Sequence, residues 1–227
     1  MPQDPISAEP TDKFDYQKSV QKTEDKFIFQ FLRIDKYINR PLASLIVRAV
    51  FRTGVTPNQL TLMAFALGLA GAYSFSRGTP SAFLVGGILA QASSIMDNAD
   101  GMLARARNQI SEYGAQLDIY LDRVNEFFLL ICVALGQYRH SGSLKLLIVG
   151  LAATAIYFLQ VSLFYLTKNL TRDFQKGETG ELRSWMMFLI FVCGVSNRLE
   201  YGIYFFFALG AGIVFVHSLS FLRKPKE

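Results

Sequence analysis

Cysteine and histidine are scarce in this chain of 227 residues, which contains two of each. Cys132 and Cys193 both lie in apolar runs and lack the closely spaced partners of a zinc site or a disulfide framework. His140 and His217 are isolated along the chain, so we expect no catalytic role for either. A metal site in this protein would therefore consist of oxygen ligands.

The amino-terminal region lacks the apolar segment that follows a basic start in a signal peptide. Residues 1–34 are polar, carry charges of both signs and contain few branched apolar residues. Such a composition is typical of a loosely ordered segment. We expect these residues to form a polar cytoplasmic segment.

Long apolar runs are abundant, since 51% of the residues are hydrophobic. Several runs reach the roughly 20 residues needed to cross a hydrocarbon core of about 30 Å. The sequence predicts an all-α integral membrane protein with about six transmembrane helices in residues 55–222. Residues 35–54 have apolar side chains at helical spacing and arginines on another face, which predicts an amphipathic interfacial helix; a buried helix of a small cytoplasmic cap is the alternative. Residues 223–227 form a basic cytoplasmic tail.

Local signals place the helix boundaries. Pro41 lies near the start of the interfacial helix, and Thr56 followed by proline opens the first span. Ser111 is predicted to cap the third span. Gly177 and Gly180 indicate a basic loop before a short fifth span that begins near Trp185.

Lysine and arginine are concentrated before the first span, in alternate connections and at the carboxyl end. The positive-inside rule then places both termini in the cytoplasm, although Arg77, Arg139, Lys145 and Arg198 fall in outer loops. The expected location is a cell inner membrane, with the active site on the cytoplasmic side.

Four aspartates stand out between the second and third spans. Asp97 and Asp100 are three residues apart, and Asp118 and Asp122 are four apart, so each pair shares one helix face. Carboxylates gathered at a membrane edge need a compensating charge, and oxygen ligands favour one or two Mg²⁺ or Mn²⁺ ions, with Ca²⁺ possible. Salt bridges to nearby arginines or simple solvation of the helix ends are the alternatives.

Segment 97–122 also resembles the signature of the CDP-alcohol phosphotransferase family, D-x-x-D-G-x-x-A-R-x8-G-x-x-x-D-x-x-x-D. Every fixed position is filled, by Asp97, Asp100, Gly101, Ala104, Arg105, Gly114, Asp118 and Asp122. Residues 57–61 are similar to the P-N-x-x-T element that precedes the first span of such enzymes. The resemblance implies a homodimeric membrane enzyme that transfers a substituted phosphoryl group from a CDP-alcohol to a hydroxyl and releases CMP.

The resemblance also implies roles for these positions. All four aspartates are metal ligands, and Asp122 is in addition the catalytic base. The nucleotide-binding residues are Asp97, Asp100, Gly101, Ala104, Arg105, Gly114 and Asp118. Helix packing alone is an alternative role for the two glycines, and a positive-inside anchor is an alternative role for Arg105.

The sequence gives weaker signals for the acceptor-binding residues than for the metal and nucleotide residues. Arg123 follows the presumed base, Glu126 faces the same way as Asp122, and a basic connection follows the fourth span. These residues predict an acceptor site for a small, polar, phosphorylated alcohol, formed by Arg123, Glu126, Lys168, Arg172 and Arg183. The positive-inside bias alone also accounts for the basic connection.

Two donors are compatible with this pattern. CDP-diacylglycerol is the leading one, and a water-soluble CDP-inositol is the alternative, because residues 38–61 and 117–123 look similar to inositol-phosphate-using members. A divalent-cation transporter is the alternative of another class. Nucleic acid is not expected as a partner.

Overall fold

The structure, a computed structural model, describes the backbone of residues 35–170 and 178–222 and the side chains of residues 35–163 and 183–215. The predicted polar segment 1–34, the basic tail 223–227, Arg172 and the side chain of Lys168 lie outside the described residues. Within the described ranges a π-helical turn, Asp35–Asn39, leads into seven α-helices. These are α1 (Arg40–Val50), α2 (Pro57–Ser76), α3 (Pro80–Ala106), α4 (Glu112–Ser141), α5 (Leu144–Leu170), α6 (Glu178–Val195) and α7 (Leu199–Leu222).

The helix starts follow the caps in the sequence. Pro41 lies in the first turn of α1, as predicted. Thr56 caps α2 as part of a capping box with Gln59, and Ser111 caps α4 by accepting a hydrogen bond from the Gly114 amide. Gly142 ends α4 in the left-handed conformation, which glycine adopts without strain.

The apolar part of α6, Arg183–Val195, agrees with the short fifth span predicted from near Trp185. The predicted loop is wrong at Gly180, because helix α6 begins at Glu178, and Gly177 lies outside the described residues. Arg183 is therefore helical, and its side chain points into the protein. Its charge indicated a solvated connection in the sequence, but acidic side chains of α3 and α4 neutralise it internally.

Within the described ranges, two helical segments are long and apolar enough to cross a membrane by length and composition, Pro57–Ser76 and Leu144–Leu163. Segments Arg183–Val195 and Leu199–Phe215 are apolar but shorter. The all-α class is thus confirmed, while the number of six spans stays a prediction.

Helices α2, α3 and α4 pack closely because small residues lie where they cross. A Cβ atom at Gly68 would overlap the Asn125 side chain, and one at Gly136 would overlap the Phe75 carbonyl. Gly87 of α3 lies against Phe191 and Gly194 of α6. The small residues of α3 thus serve packing, and the close approach brings the polar ends of α3 and α4 together.

Helix α1 is fastened to the end of α3 that carries Asp97 and Asp100. Ala43 and Val47 are fully buried in a cluster with apolar residues of α2 and α3. Asn39 is also fully buried, and it accepts a hydrogen bond from Gln91 and donates to Ser94. The outer face of α1 stays exposed, with Leu45 59% accessible, so the helix is both docked and amphipathic.

Arg107 secures the connection between α1 and α2. Its guanidinium donates to the carbonyls of Val50, Phe51, Thr53 and Val55, at 2.6 Å from Nη2 to the Val50 oxygen and 2.8 Å from Nη2 to the Thr53 oxygen. This arginine therefore stabilises the backbone beside the site.

Candidate active site

Three aspartates converge where the end of α3 meets the first half of α4. Asp97, Asp100 and Asp118 each place a carboxylate oxygen within 4.8 Å of the others. Asp100 is only 6% exposed, and the Thr61 hydroxyl donates to its Oδ2 at 2.6 Å. Thr61 is the threonine of the P-N-x-x-T element. Its structural role is to orient one carboxylate of the cluster.

The cluster fits a hard divalent cation. Its ligands are carboxylate oxygens, which Mg²⁺ and Mn²⁺ prefer. In the described part of the chain, Asp118 Oδ1 is buried without a hydrogen-bond partner, and such an atom normally has one. A bound cation would satisfy it. Asp97, Asp100 and Asp118 are therefore the residues suited to hold a metal ion.

Asp122 lies outside the three-aspartate cluster and shares an arginine with Asp97. Arg183 of α6 donates from Nη2 to Asp122 Oδ1 at 2.6 Å and from Nη1 to Asp97 Oδ2 at 2.7 Å. The guanidinium thus joins the outermost aspartates of the signature, one from α3 and one from α4. Salt bridging of the aspartates, weighed in the sequence as an alternative to a metal, does occur for this pair, but the partner is Arg183.

Glu126 lies one helical turn after Asp122 and is fully buried. Its Oε1 lies 3.1 Å from Arg183 Nε, and its Oε2 lies 2.7 Å from Arg123 Nη1. The Tyr157 hydroxyl of α5 donates to the same Oε2 at 2.9 Å. The structure therefore brings together three of the five residues predicted for the acceptor: Arg123, Glu126 and Arg183.

Negative charge exceeds positive charge in this group. Five carboxylates lie within it, whereas Arg123 and Arg183 are the two guanidinium groups that the described ion pairs bring to them. Buried charges of one sign need neutralisation, because desolvation makes unpaired charges costly. A cation held by Asp97, Asp100 and Asp118 would neutralise part of this negative charge.

The residues predicted for the nucleotide lie beside the cluster. The nearest atom to a Cβ at Gly101 would be Arg105 Nη1 at 3.2 Å, so space on this face of α3 is bordered by a movable side chain. A Cβ at Gly114 would meet Ser111 Oγ at 2.9 Å and Asn58 Oδ1 at 3.0 Å. Gly114 therefore also has a packing role, and Asn58, from the P-N-x-x-T element, lies against it.

The structure yields one prediction for this face. Gly101→Leu is expected to weaken CMP binding by about tenfold or more, because its side chain would fill the space between α3 and Arg105. Isothermal titration of CMP in the presence of Mg²⁺ measures the effect. Gly212→Leu is the matched control, since a Cβ at that helical glycine would meet nothing within 4 Å. Equal CMP affinity in the two variants would show that Gly101 has only a helix-packing role and does not border the nucleotide.

Sequence reasoning missed Tyr157, which lies in the apolar run of α5. A tyrosine in such a run is usual near a membrane interface, and the sequence holds no signal for its bond to Glu126. The placement of Arg183 within reach of Asp97 and Asp122 was also missed, because it depends on how α6 packs on α3.

Comparison of the sequence with known proteins identifies its family. The sequence model of the CDP-alcohol phosphatidyltransferase family matches residues 54–217. The chain is 27% identical over 196 residues to the archaetidylinositol phosphate synthase of Pyrococcus horikoshii, covering 84% of this chain and 91% of that protein.

Two further relatives match shorter regions. The chain is 38% identical over 102 residues to the bifunctional IPC transferase and DIPP synthase of Archaeoglobus fulgidus, covering 45% of this chain and 20% of that longer protein. It is 35% identical over 92 residues to the inner membrane protein YnjF of Escherichia coli, covering 39% of this chain and 43% of that protein.

The family match covers most of the chain and includes the whole aspartate segment, so the transporter alternative is not supported. This protein belongs to the CDP-alcohol phosphatidyltransferase family and is an enzyme that transfers a substituted phosphoryl group.

Proposed function

We propose that this enzyme transfers the phosphoryl-alcohol group of a lipid-linked CDP-alcohol to the hydroxyl of a small phosphorylated alcohol. The convergence of Asp97, Asp100 and Asp118 beside the Asp122–Arg183 pair carries the proposal. The acceptor oxygen forms a bond to the distal phosphorus of the donor, and the bond from that phosphorus to the CMP oxygen breaks. CMP leaves, and Asp122 accepts the proton of the acceptor hydroxyl.

Mg²⁺ or Mn²⁺, as one or two ions, neutralises charge on the pyrophosphate when bound. Asp97, Asp100 and Asp118 are the residues that would hold an ion, with Asp122 as a further ligand if there are two. These side chains come from two helices, and the Thr61 hydroxyl orients Asp100. The chain therefore supplies an oxygen-lined position that is formed by the fold itself.

The nucleotide is proposed to lie along the face of α3 and the start of α4. Asp97, Asp100 and Asp118 would hold the ion that neutralises its phosphates, and Arg105 has a donor geometry suited to phosphate or cytosine oxygens. Gly101, Ala104 and Gly114 leave room for the nucleotide next to the backbone.

Inositol phosphate is the acceptor that we consider first. The name of the Pyrococcus relative describes a product that joins a lipid to inositol phosphate, and the Archaeoglobus relative is named for an IPC transferase activity. A phosphate on the acceptor suits Arg123, which lies beside the site. Arg183, Lys168 and Arg172 complete the acceptor residues that we propose.

An apolar cavity favours a lipid donor over soluble CDP-inositol. The cavity has a volume of about 200 Å³ and lies between α4, α5, α6 and α7. Leu130, Phe206 and Ile213 form part of its wall, and Arg123 and Tyr157 lie at its polar end, next to Glu126. Such an apolar wall favours the binding of hydrocarbon chains, because burial of apolar surface is favourable. Soluble CDP-inositol remains the second candidate because the bifunctional relatives match 45% of the chain.

We also propose the arrangement in the membrane. The aspartate site lies at the cytoplasmic face of a cell inner membrane, with both termini on that side, and six helices in residues 55–222 cross the bilayer. The Escherichia coli relative is named as an inner membrane protein, which supports this location. A homodimer is proposed from the family resemblance.

Release of CMP from defined donors and acceptors tests the function. Purified protein in detergent with Mg²⁺ is given CDP-diacylglycerol, CDP-archaeol or CDP-inositol, each with inositol phosphate, glycerol phosphate, serine or choline. We expect CMP release with a lipid donor and a phosphorylated acceptor. Preference for serine or choline would contradict the acceptor, and preference for CDP-inositol would establish the second candidate.

A further inference from the structure

Glu126 is a carboxylate that the family signature does not include, although it lies at the centre of the charged group. It sits four residues after Asp122 on α4 and has no exposed surface. Removing a carboxylate completely from water is costly unless cations and donors surround it. Glu126 has three such neighbours, and they come from three different helices.

These neighbours are Arg123 of α4, Tyr157 of α5 and Arg183 of α6. Arg123 Nη1 lies 2.7 Å and the Tyr157 hydroxyl 2.9 Å from Glu126 Oε2. Arg123 Nη1 also donates to the Tyr157 hydroxyl at 3.2 Å, which closes a ring of three groups. Such a ring fixes the side-chain rotamers of all its members.

Arg183 extends this ring to the aspartates. Its Nε faces Glu126 Oε1, and its two terminal nitrogens bond to Asp97 and Asp122. The Nε–Oε1 contact of 3.1 Å is an ion pair without a hydrogen bond, but rotation of the planar guanidinium would break it together with the two bonds to the aspartates. The carboxylate of Glu126 therefore determines the plane in which Arg183 presents donors to the proposed base.

We propose that Glu126 is a positioning residue for the transfer reaction: it orients Arg183 on Asp122 and Asp97, and holds Arg123 beside the acceptor. This inference rests on the proposed function. Glu126 itself does not contact substrate, because it is fully buried behind the two arginines. It thus differs from the direct acceptor contact that the sequence predicted for this residue.

The test compares Glu126→Gln, Glu126→Asp and Tyr157→Phe with the matched control Glu200→Gln. Glu200 accepts a hydrogen bond from Gln137 on α4 and lies 3.9 Å from Arg198, so the control removes another helical carboxylate that has an arginine and an amide nearby. In Glu126→Gln we expect kcat to fall about 100-fold, because small misplacements of reacting groups have effects of this size. The KM for the acceptor should rise, and the KM for the donor should be unchanged.

The conservative variants separate positioning from simple packing. Glu126→Asp keeps the charge and should recover part of kcat, whereas Tyr157→Phe should lose less than Glu126→Gln with the same KM pattern. Wild-type kcat in Glu126→Gln, or a loss found only in the donor KM, would overturn the proposal. If Glu126→Gln does not fold, the test rests on Tyr157→Phe. A kcat of Tyr157→Phe equal to that of the wild type would overturn the proposal.

Binding of Mn²⁺, followed by electron paramagnetic resonance, gives a readout that does not need transfer. Without the Glu126 charge, Arg183 no longer holds Asp97 in its place in the cluster, so Mn²⁺ affinity should fall about tenfold in Glu126→Gln and stay unchanged in Glu200→Gln. Equal Mn²⁺ affinity in Glu126→Gln and the wild type would overturn the proposal. A wild-type protein that releases no CMP from any donor would contradict the proposed function instead, and the Mn²⁺ titration would still report on Glu126.

Discussion

Asp118→Asn is expected to lower CMP release by about 100-fold or more and to weaken Mn²⁺ binding. The physical reason is local: Asp118 Oδ1 is buried without a partner in the described part of the chain, and Asp118 shares a cluster with Asp97 and Asp100. An amide in its place would bring no negative charge and, if its NH₂ faced the cluster, a donor where a cation needs an acceptor. Initial rates of CMP release across a Mg²⁺ titration, together with Mn²⁺ binding, measure both effects.

Asp97→Asn and Asp100→Asn belong in the same experiment. Both are expected to lose comparable activity, and Glu200→Gln is again the control for loss of a carboxylate outside the site. The folded state of each variant is checked by its thermal transition in detergent. Retention of more than about a tenth of the wild-type rate by two of the three variants would contradict the metal assignment, because phosphate-clamp groups normally contribute on the order of 100-fold.

The sequence predicted the helix order and the starts of α1, α2 and α4 because these depend on local chemistry. Thr56, Ser111 and Pro41 act within one turn of their own position, and a left-handed residue such as Gly142 acts on its own backbone. The convergence of the aspartates was also predictable. Their spacing places each pair on one helix face, and a short connection joins the two helices.

Arg183 shows where such reasoning fails. Its charge and the neighbouring glycines indicated a solvated loop, whereas the fold buries it between α3 and α4. Polarity in a sequence cannot distinguish a side chain in water from one that other charged groups neutralise inside the protein. The partners of Arg183 lie 61 and 86 positions away, and only the packing of α6 on α3 brings them together.

Glu126 and Tyr157 show a second limit of predicting a site from its sequence. The periodicity of α4 placed Glu126 on the face of Asp122, which was enough to predict that it belongs near the site. Its role depends on whether it faces a pocket or other side chains. Spacing did indicate the ion pair with Arg123, which lies three residues before Glu126. The hydroxyl of Tyr157, Arg183 and complete burial answer the rest of that question, and none of these three can be read from spacing along the chain.

Asp122→Asn is expected to lower kcat by about 1,000-fold while the affinities for Mn²⁺ and CMP stay within about threefold of the wild type. Asp122 lies outside the group of three aspartates whose oxygens are within 4.8 Å of one another, and its Oδ1 is bonded to Arg183 at 2.6 Å. An asparagine keeps the shape and can still accept a bond from Arg183, but it cannot take the proton of the acceptor hydroxyl. Single-turnover CMP release at saturating donor measures the chemical step, and Mn²⁺ and CMP titrations measure binding. If Asp122→Asn instead loses Mn²⁺ binding as strongly as Asp118→Asn, then Asp122 is a metal ligand first, and the proton must leave the acceptor by another route.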